Sequence, residues 1–243
     1  EITAAGDRLE LQNTQMDSTF GSGATEVTGA GTLAVLSGSN WNVNVSVPMS
    51  QTLTLDLDGG FINNIENLGL PGRFNFMQGN IGQFGVITVP GTTVFNYSSA
   101  APITPNFNIV NNGIFNIQTS AADIDIAGIN GAIFINSVTG TFRITSPNPT
   151  NPTNVHLVSV MQNDGILDFV LNPNIIVEPT GILNMNGTAV NGTGNLLVKG
   201  GLMDILTPTA LSSTIGLGLN TGSIIGAQNL SVAGTFKWDD GLV

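Results

Sequence analysis

The chain has 243 residues, a formal net charge of −11, only 9% charged residues against 41% apolar ones, and no cysteine. So much apolar content with so few charges excludes a disordered chain. The five scattered cations (Arg8, Arg73, Arg143, Lys199 and Lys237) exclude the basic cluster that nucleic acid or an anionic lipid surface requires. Without cysteine there are no disulfides and no thiolate metal sites. No apolar run approaches the roughly 18 residues of a membrane helix, so no membrane insertion is expected.

Polarity is carried instead by 29 Asn, 26 Thr and 16 Ser, alongside 31 Gly. This is the chemistry of turns and strands rather than of helices. The length suits a single domain over 1–243, with residues 1–30 as an N-terminal cap.

A recurring phrase begins at Gly31-Thr-Leu-Ala-Val: glycine, any residue, apolar, polar, apolar. Residues 40–58 follow, the most regular stretch. Trp41, Val43, Val45 and Val47 alternate with Asn40, Asn42, Asn44 and Ser46; after Pro48, Leu53, Leu55 and Leu57 alternate with Thr52, Thr54, Asp56 and Asp58. Such alternation predicts strands with one buried face. The phrase returns at Gly72-Arg-Phe-Asn-Phe, Gly85-Val-Ile-Thr-Val and Gly113-Ile-Phe-Asn-Ile, with a Pro-rich break at 102–105. Asp123-Ile-Asp125 comes next, then Gly140-Thr-Phe-Arg-Ile and a Pro/Asn-rich exposed loop at 145–154. The single histidine, His156, precedes Gly165-Ile-Leu-Asp-Phe, Gly181-Ile-Leu-Asn-Met, Gly201-Leu-Met-Asp-Ile and finally Gly234-Thr-Phe-Lys-Trp. Asn-Gly pairs at Asn112, Asn130, Asn186 and Asn191 add turn signals.

Each copy reads as a corner feeding a short strand, with glycine supplying unusual backbone angles at the corner. The third and fifth residues point to one side and the fourth to the other. The nine glycines lie 13 to 41 residues apart. This irregular spacing favours a right-handed parallel β-helix of nine or ten coils with loops of varied length. An antiparallel β-sandwich is the alternative, but clean hairpins need two alternating strands hard against one Asn-Gly, and only 182–198 approximates that. Continuous apolar stretches, as in Asn174-Ile-Ile-Val, also suit buried parallel strands. The asparagines are expected to form inward ladders at corners, and the twelve phenylalanines a stacked core.

The Gly-x-apolar-x-apolar phrases, the near absence of lysine and the closing GTFKWDDGLV resemble the repeats of large bacterial surface and secreted β-helix proteins, the adhesins and autotransporter passengers. The likeness covers most of residues 30–243 in style, without an invariant motif. It implies an exported, elongated and adhesive protein that contacts glycans or proteins of a cell surface or matrix.

The candidate sites are few. Asn42, Asn44, Thr52, Thr54, Asp56 and Asp58 form an outward amide, hydroxyl and carboxylate face that could dock a sugar or a calcium ion, although an ordinary solvated strand face is the plainer reading. Asp123 and Asp125, two apart on one strand and so about 6.5–7 Å from each other, offer half of a calcium site. No other cofactor is expected. That spacing also matches the paired carboxylates of a glycosidase. Arg73 and Arg143 both point outward, as the base of a β-helix polysaccharide lyase would, yet nothing marks either as one; the Gly-His-Gly stretch of the related pectin hydrolases is missing. His156 lacks any sequence-visible partner and rules out a multi-histidine metal site. No residue is assigned to catalysis. The last phrase stops five residues before an uncapped end, which leads us to expect further coils or end-to-end self-association. The expected role is a non-enzymatic extracellular structural or adhesive segment, with a polysaccharide lyase or glycoside hydrolase as the alternative.

Overall fold

The computed structural model describes residues 6–17, 26–65, 68–82, 86–99, 108–126, 132–148, 150–187 and 189–243. Gly85, Asn130 and the Pro-rich break at 102–105 lie outside these residues. Every ladder between the described strands is parallel, so the chain is a β-solenoid and not a sandwich. The described residues contain no α-helix.

Three sheets form the faces of the solenoid. The first has thirteen strands. Its main path runs through Arg8–Leu11, Thr32–Leu36, Thr54–Asn63, Arg73–Gly82, Val94–Tyr97, Ile114–Ile117, Thr141–Thr145, Ile166–Val170, Ala189–Gly192, Thr209–Leu211 and Leu230–Val232. Eleven strands in line make a rod about 48 Å long at the usual spacing. The second sheet stacks Asp123–Ile126, Asn154–Leu157, Asn174–Val177, Gly194–Lys199, Ile215–Asn220 and Phe236–Trp238. The third stacks Val86–Val89, Asn108–Asn111, Phe134–Asn136, Val160–Asn163, Ile182–Met185, Leu202–Ile205, Gly222–Gly226 and Gly241–Leu242.

Near the N-terminus two faces merge. Asn40–Asn42 and Thr32–Leu36 both pair with the long strand Thr54–Asn63, which turns between them through register shifts around Asp58. Gly59, at φ 86°, sits in that bend, where a side chain would be strained. The strand expected across 40–47 is shorter than its alternation suggests. It covers only Asn40–Asn42, although Trp41, Val43 and Val47 are all buried as the pattern requires. Within the expected 1–30 cap, Arg8–Leu11 already stacks in parallel on Thr32–Leu36. The 145–154 loop exposes Asn148, Thr150 and Asn151 but is tied at its base, where the buried Ser146 Oγ accepts the Thr153 N–H at 3.0 Å.

Register places like residues over like. On the inner side of the first sheet Leu33, Leu55, Phe74, Phe95, Phe115, Phe142, Leu167, Val190 and Leu211 form one column. The rings of Phe95 and Phe115 stack at 4.7 Å, and Phe134 of the third sheet meets Phe115 edge-on at 4.9 Å. Each such pair adds about 0.5–1.5 kcal/mol beyond the area it buries. Of the twelve phenylalanines expected to form a stacked core, Phe74, Phe95, Phe115, Phe134, Phe142 and Phe169 are buried, Phe61 and Phe76 are half-buried and Phe236 is exposed, while Phe20, Phe84 and Phe107 lie outside the described residues.

The inward asparagine ladder is also present, at the end of the third sheet. Asn111 Nδ2 donates to Asn136 Oδ1 at 2.8 Å, and Asn136 Nδ2 donates to Asn163 Oδ1 at 2.7 Å. All three are fully buried. The same amide nitrogens also reach carbonyls at the corner, those of Thr141, Ile166 and Gly165. An amide suits this position because it both donates and accepts, so one side chain can serve the coils on either side.

The phrase glycines have a different role from the one read in the sequence. None of Gly72, Gly113, Gly140, Gly165, Gly181, Gly201 or Gly234 has a φ in the left-handed region. Each instead lies so close to the neighbouring coil that a Cβ would collide with a backbone carbonyl oxygen: Asn111 O at Gly140, Gly140 O at Gly165 and Leu157 O at Gly181. Close approach, not turn geometry, selects glycine there. The phrase also opens strands on all three faces, which explains its uneven spacing.

Gly165→Ala is accordingly expected to destabilise the fold by about 3 kcal/mol, since backbone cannot move aside. Gly91→Ala is the control, because its Cβ would sit 3.5 Å from the nearest atom, an ordinary contact. Urea unfolding of the two variants distinguishes close approach from a general loss of glycine. Asn136→Ala should cost roughly 2–4 kcal/mol, because it removes three hydrogen bonds, those with Asn111, Asn163 and Ile166 O, and leaves Asn163 Oδ1 without its donor. Asn191→Ala, on an exposed side chain, should change the unfolding midpoint little.

Candidate functional site

The outer faces of the first and second sheets carry most of the polar side chains considered above. On the first sheet the outward residues form a column, which includes the fourth residues of the phrases that begin at Gly72 and Gly113. Asp56 Oδ1 accepts from Asn75 Nδ2 at 2.8 Å, Asn75 Oδ1 from Asn96 Nδ2 at 2.9 Å, and Asn96 Oδ1 from Asn116 Nδ2 at 3.1 Å. Arg8, which is in register with Thr32, reaches diagonally to the other Asp56 oxygen at 2.6 Å, past the small side chain of Ala34, the residue in register with Asp56. Asp56 is thereby buried to 7% exposure. Further along, Arg143 Nε donates to Asp168 Oδ2 at 2.7 Å.

The six residues expected to form one docking face occupy several local settings. Asn42 sits on the short Asn40–Asn42 strand, where its Oδ1 accepts from Asn63 Nδ2 at 2.5 Å. Asn44 is exposed beyond that strand. Thr52 lies in a turn and donates to Gly29 O at 2.5 Å. Thr54, Asp56 and Asp58 share the outer side of Thr54–Asn63, and Asp58 accepts from Gln78 Nε2 at 2.7 Å. Arg73 is exposed, and its guanidinium has no described partner.

The second sheet builds the more chemically loaded constellation. Asp123 and Asp125 both face outward on Asp123–Ile126, whose burial alternates, and they register with Asn154 and His156. A second amide ladder climbs from there. Asn154 donates to Asp123 at 2.9 Å, Asn174 to Asn154 at 2.7 Å, and Asn195 to Asn174 at 2.8 Å. Beside it His156 stands between two carboxylates. Its Nδ1 is 2.7 Å from Glu178 Oε1 and its Nε2 is 3.1 Å from Asp123 Oδ1.

An ionised carboxylate only accepts hydrogen bonds, so two of them facing both ring nitrogens call for the doubly protonated imidazolium. Partial burial by itself would lower the His156 pKa, but the hydrogen bonds to Glu178 and Asp123 together outweigh it and raise the value above the ordinary one. The Asp123 carboxyl is held below the usual range, first by the Asn154 hydrogen bond and then by that of His156. The ring lies between its carboxylates, so the three groups do not converge on one point. Among the described residues no three His, Asp or Glu side chains are grouped to hold a metal ion.

Sequence reading singled out Asp123, Asp125 and His156 but missed Glu178, Asn154, Asn174 and Asn195 as their partners. The signal was the unit Asn-apolar-x-apolar, written at Asn154, Asn174 and Asn195. No family model matches the chain, and no curated protein or solved structure is found to resemble it. The fold alone therefore defines its class, a parallel β-solenoid repeat protein.

The His156 cluster sets a pH signature. Its contribution to stability is fully present below the ordinary histidine value of about 6.5 and fades as the pH rises through the raised value in the fold. The Asp123 contribution is present above about pH 3.9 and fades as the pH falls through its lowered value. Melting temperatures of the wild type and His156→Gln, measured from about pH 5 to about pH 9, should differ most at the acidic end and converge above neutrality. A contribution of roughly 0.5–1 kcal/mol is expected for pairs this exposed. A difference that stays constant across the range would show that the ion pairs contribute nothing.

Proposed function

We propose that this chain is a non-enzymatic structural or adhesive segment of an extracellular or cell-surface protein, of the kind that presents a rigid β-helix to surface or matrix glycans. One observation carries the reading: the outward polar groups of the first and second sheets are largely engaged with one another, coil to coil. Asp56 is held by Arg8 and Asn75, Asp168 by Arg143, Asp123 by Asn154 and His156. Side chains committed to stiffening a rod are poor candidates for proton transfer, which needs a base free to meet substrate. A solenoid of about 48 Å with a repeating amide and hydroxyl exterior suits display and contact along its length. Export and a bacterial origin rest on the resemblance of the repeats.

A carbohydrate-active enzyme of the same fold is the second reading, and the His156 cluster is the observation that favours it. A histidine oriented by Glu178 at 2.7 Å, with an exposed carboxylate on its other side, has the parts of an acid–base pair. Incubation with polyuronates and β-glycans separates the two readings. We expect no unsaturated or reducing ends to appear. Sustained cleavage that disappears in His156→Gln, Arg73→Gln or Arg143→Gln would reverse the ranking.

A further inference from the structure

The chain has only two lysines, and stacking brings both to one trench. On the outer face of the second sheet, Gly194–Lys199 presents Asn195, Leu197 and Lys199. The next strand, Ile215–Asn220, presents Gly216 and Gly218 in register with Asn195 and Leu197. The strand after that, Phe236–Trp238, sets Lys237 in register with Gly218. Two glycines in a row of outward positions leave a floor of bare backbone between two walls of side chains. The resulting trench has a volume of about 680 Å³, within the ordinary range of ligand sites.

Three features of the trench define the chemistry of an occupant. The amide ladder that starts at Asp123 ends here: Asn195 donates to Asn174, but its own Oδ1 faces Gly216, which has no side chain to continue the ladder. That oxygen accepts no hydrogen bond among the described residues and suits a hydroxyl donor. Lys199 has no described side-chain partner, while Lys237 shares its charge with Asp239 at 3.1 Å on an exposed pair. Leu197 leans over Gly218 and gives the floor an apolar patch. The strand beneath is already paired on both sides, with Gly194–Lys199 and with Phe236–Trp238, so an extended peptide finds no free edge to join. Hydroxyls for Asn195 and carboxylates for the lysines occur together in sugar acids.

We propose that this trench binds an acidic polysaccharide of the uronate class, with its carboxylates on Lys199 and Lys237 and a hydroxyl on Asn195 Oδ1. This deepens the reading of the chain as a glycan-contacting segment and rests on it.

Calorimetric titration of the chain with a galacturonate hexamer tests the site, with the fully methyl-esterified hexamer and poly-glutamate as comparisons. The hexamer should bind, and added salt should weaken it. The ester, and the double variant Lys199→Gln with Lys237→Gln, should each bind about tenfold or more weakly, since each loses charge-assisted hydrogen bonds. Gly218→Thr should abolish binding by filling the floor. It should also fold, because the only close atom is Leu197 Cδ2 at 2.7 Å, the tip of a flexible side chain, and a β-branched residue suits a strand. An unchanged circular dichroism spectrum and melting temperature would confirm that.

Equal affinity for acid and ester, binding that survives Gly218→Thr or the double lysine variant, or no binding at all would each overturn the proposal. Poly-glutamate binding as tightly as the hexamer would overturn the assignment to polysaccharide. If the hexamer fails to bind and is not cleaved, the structural reading of the chain still stands. If it is cleaved, and Gly218→Thr stops the cleavage, the trench is supported and the non-enzymatic reading falls.

Discussion

In-register parallel stacking is the constraint on which the rest of this structure depends. Each strand lies about 4.8 Å from its equivalent in the next coil, so every side chain meets the one at the same position above and below. Like charges in such a column repel. Amides do not, because each both donates and accepts. This one rule explains a chain with 9% charged residues and 29 asparagines. It also explains where charges are tolerated. Asp168 lies next to Arg143, Asp123 next to Asn154, and Asp56 between Asn75 and the reach of Arg8.

The same spacing governs the interior. Apolar residues and aromatic rings stack along the columns, and three buried asparagines close the corner where the third sheet gives way to the first. There the coils approach so closely that a Cβ on Gly140 or Gly165 would strike a carbonyl of the neighbouring coil. Glycine is thus a packing residue in this fold, and the phrase it opens marks points where two coils touch.

Functional interest falls where the columns break their own rule. At His156 an imidazole stands in register between Asp125 and Ile176 and gathers carboxylates from either side, Asp123 on the preceding strand and Glu178 just past the end of the next. At Gly216 and Gly218 two neighbouring outward columns lose their side chains for one strand, and the wall residues, both lysines among them, surround the gap. Each break lies on the second sheet, the two being separated by the column positions of Ile176 and Leu197.

By itself the sequence determined an all-β fold and favoured a parallel solenoid over an antiparallel sandwich, because period-two alternation and a glycine-led phrase are local properties that survive without any knowledge of partners; the parallel pairing itself was decided by stacking. It marked Phe74, Phe95, Phe115, Phe134, Phe142 and Phe169 as inward for the same reason, but not that Phe236 is exposed. The glycines' role was not legible, since a glycine needed for close approach and one needed for a turn look identical in a sequence. Nor was the sheet to which each copy of the phrase belongs, because the phrase is the same on all three faces. Only stacking decided the contacts of the candidate site. His156 lies 22 residues from Glu178 and 33 from Asp123 in the chain, and successive members of the first inner column are separated by anything from 19 to 27 residues. With coil lengths that vary so widely, the residue standing above another depends on how much chain each loop absorbs, and that is settled only when the coils pack.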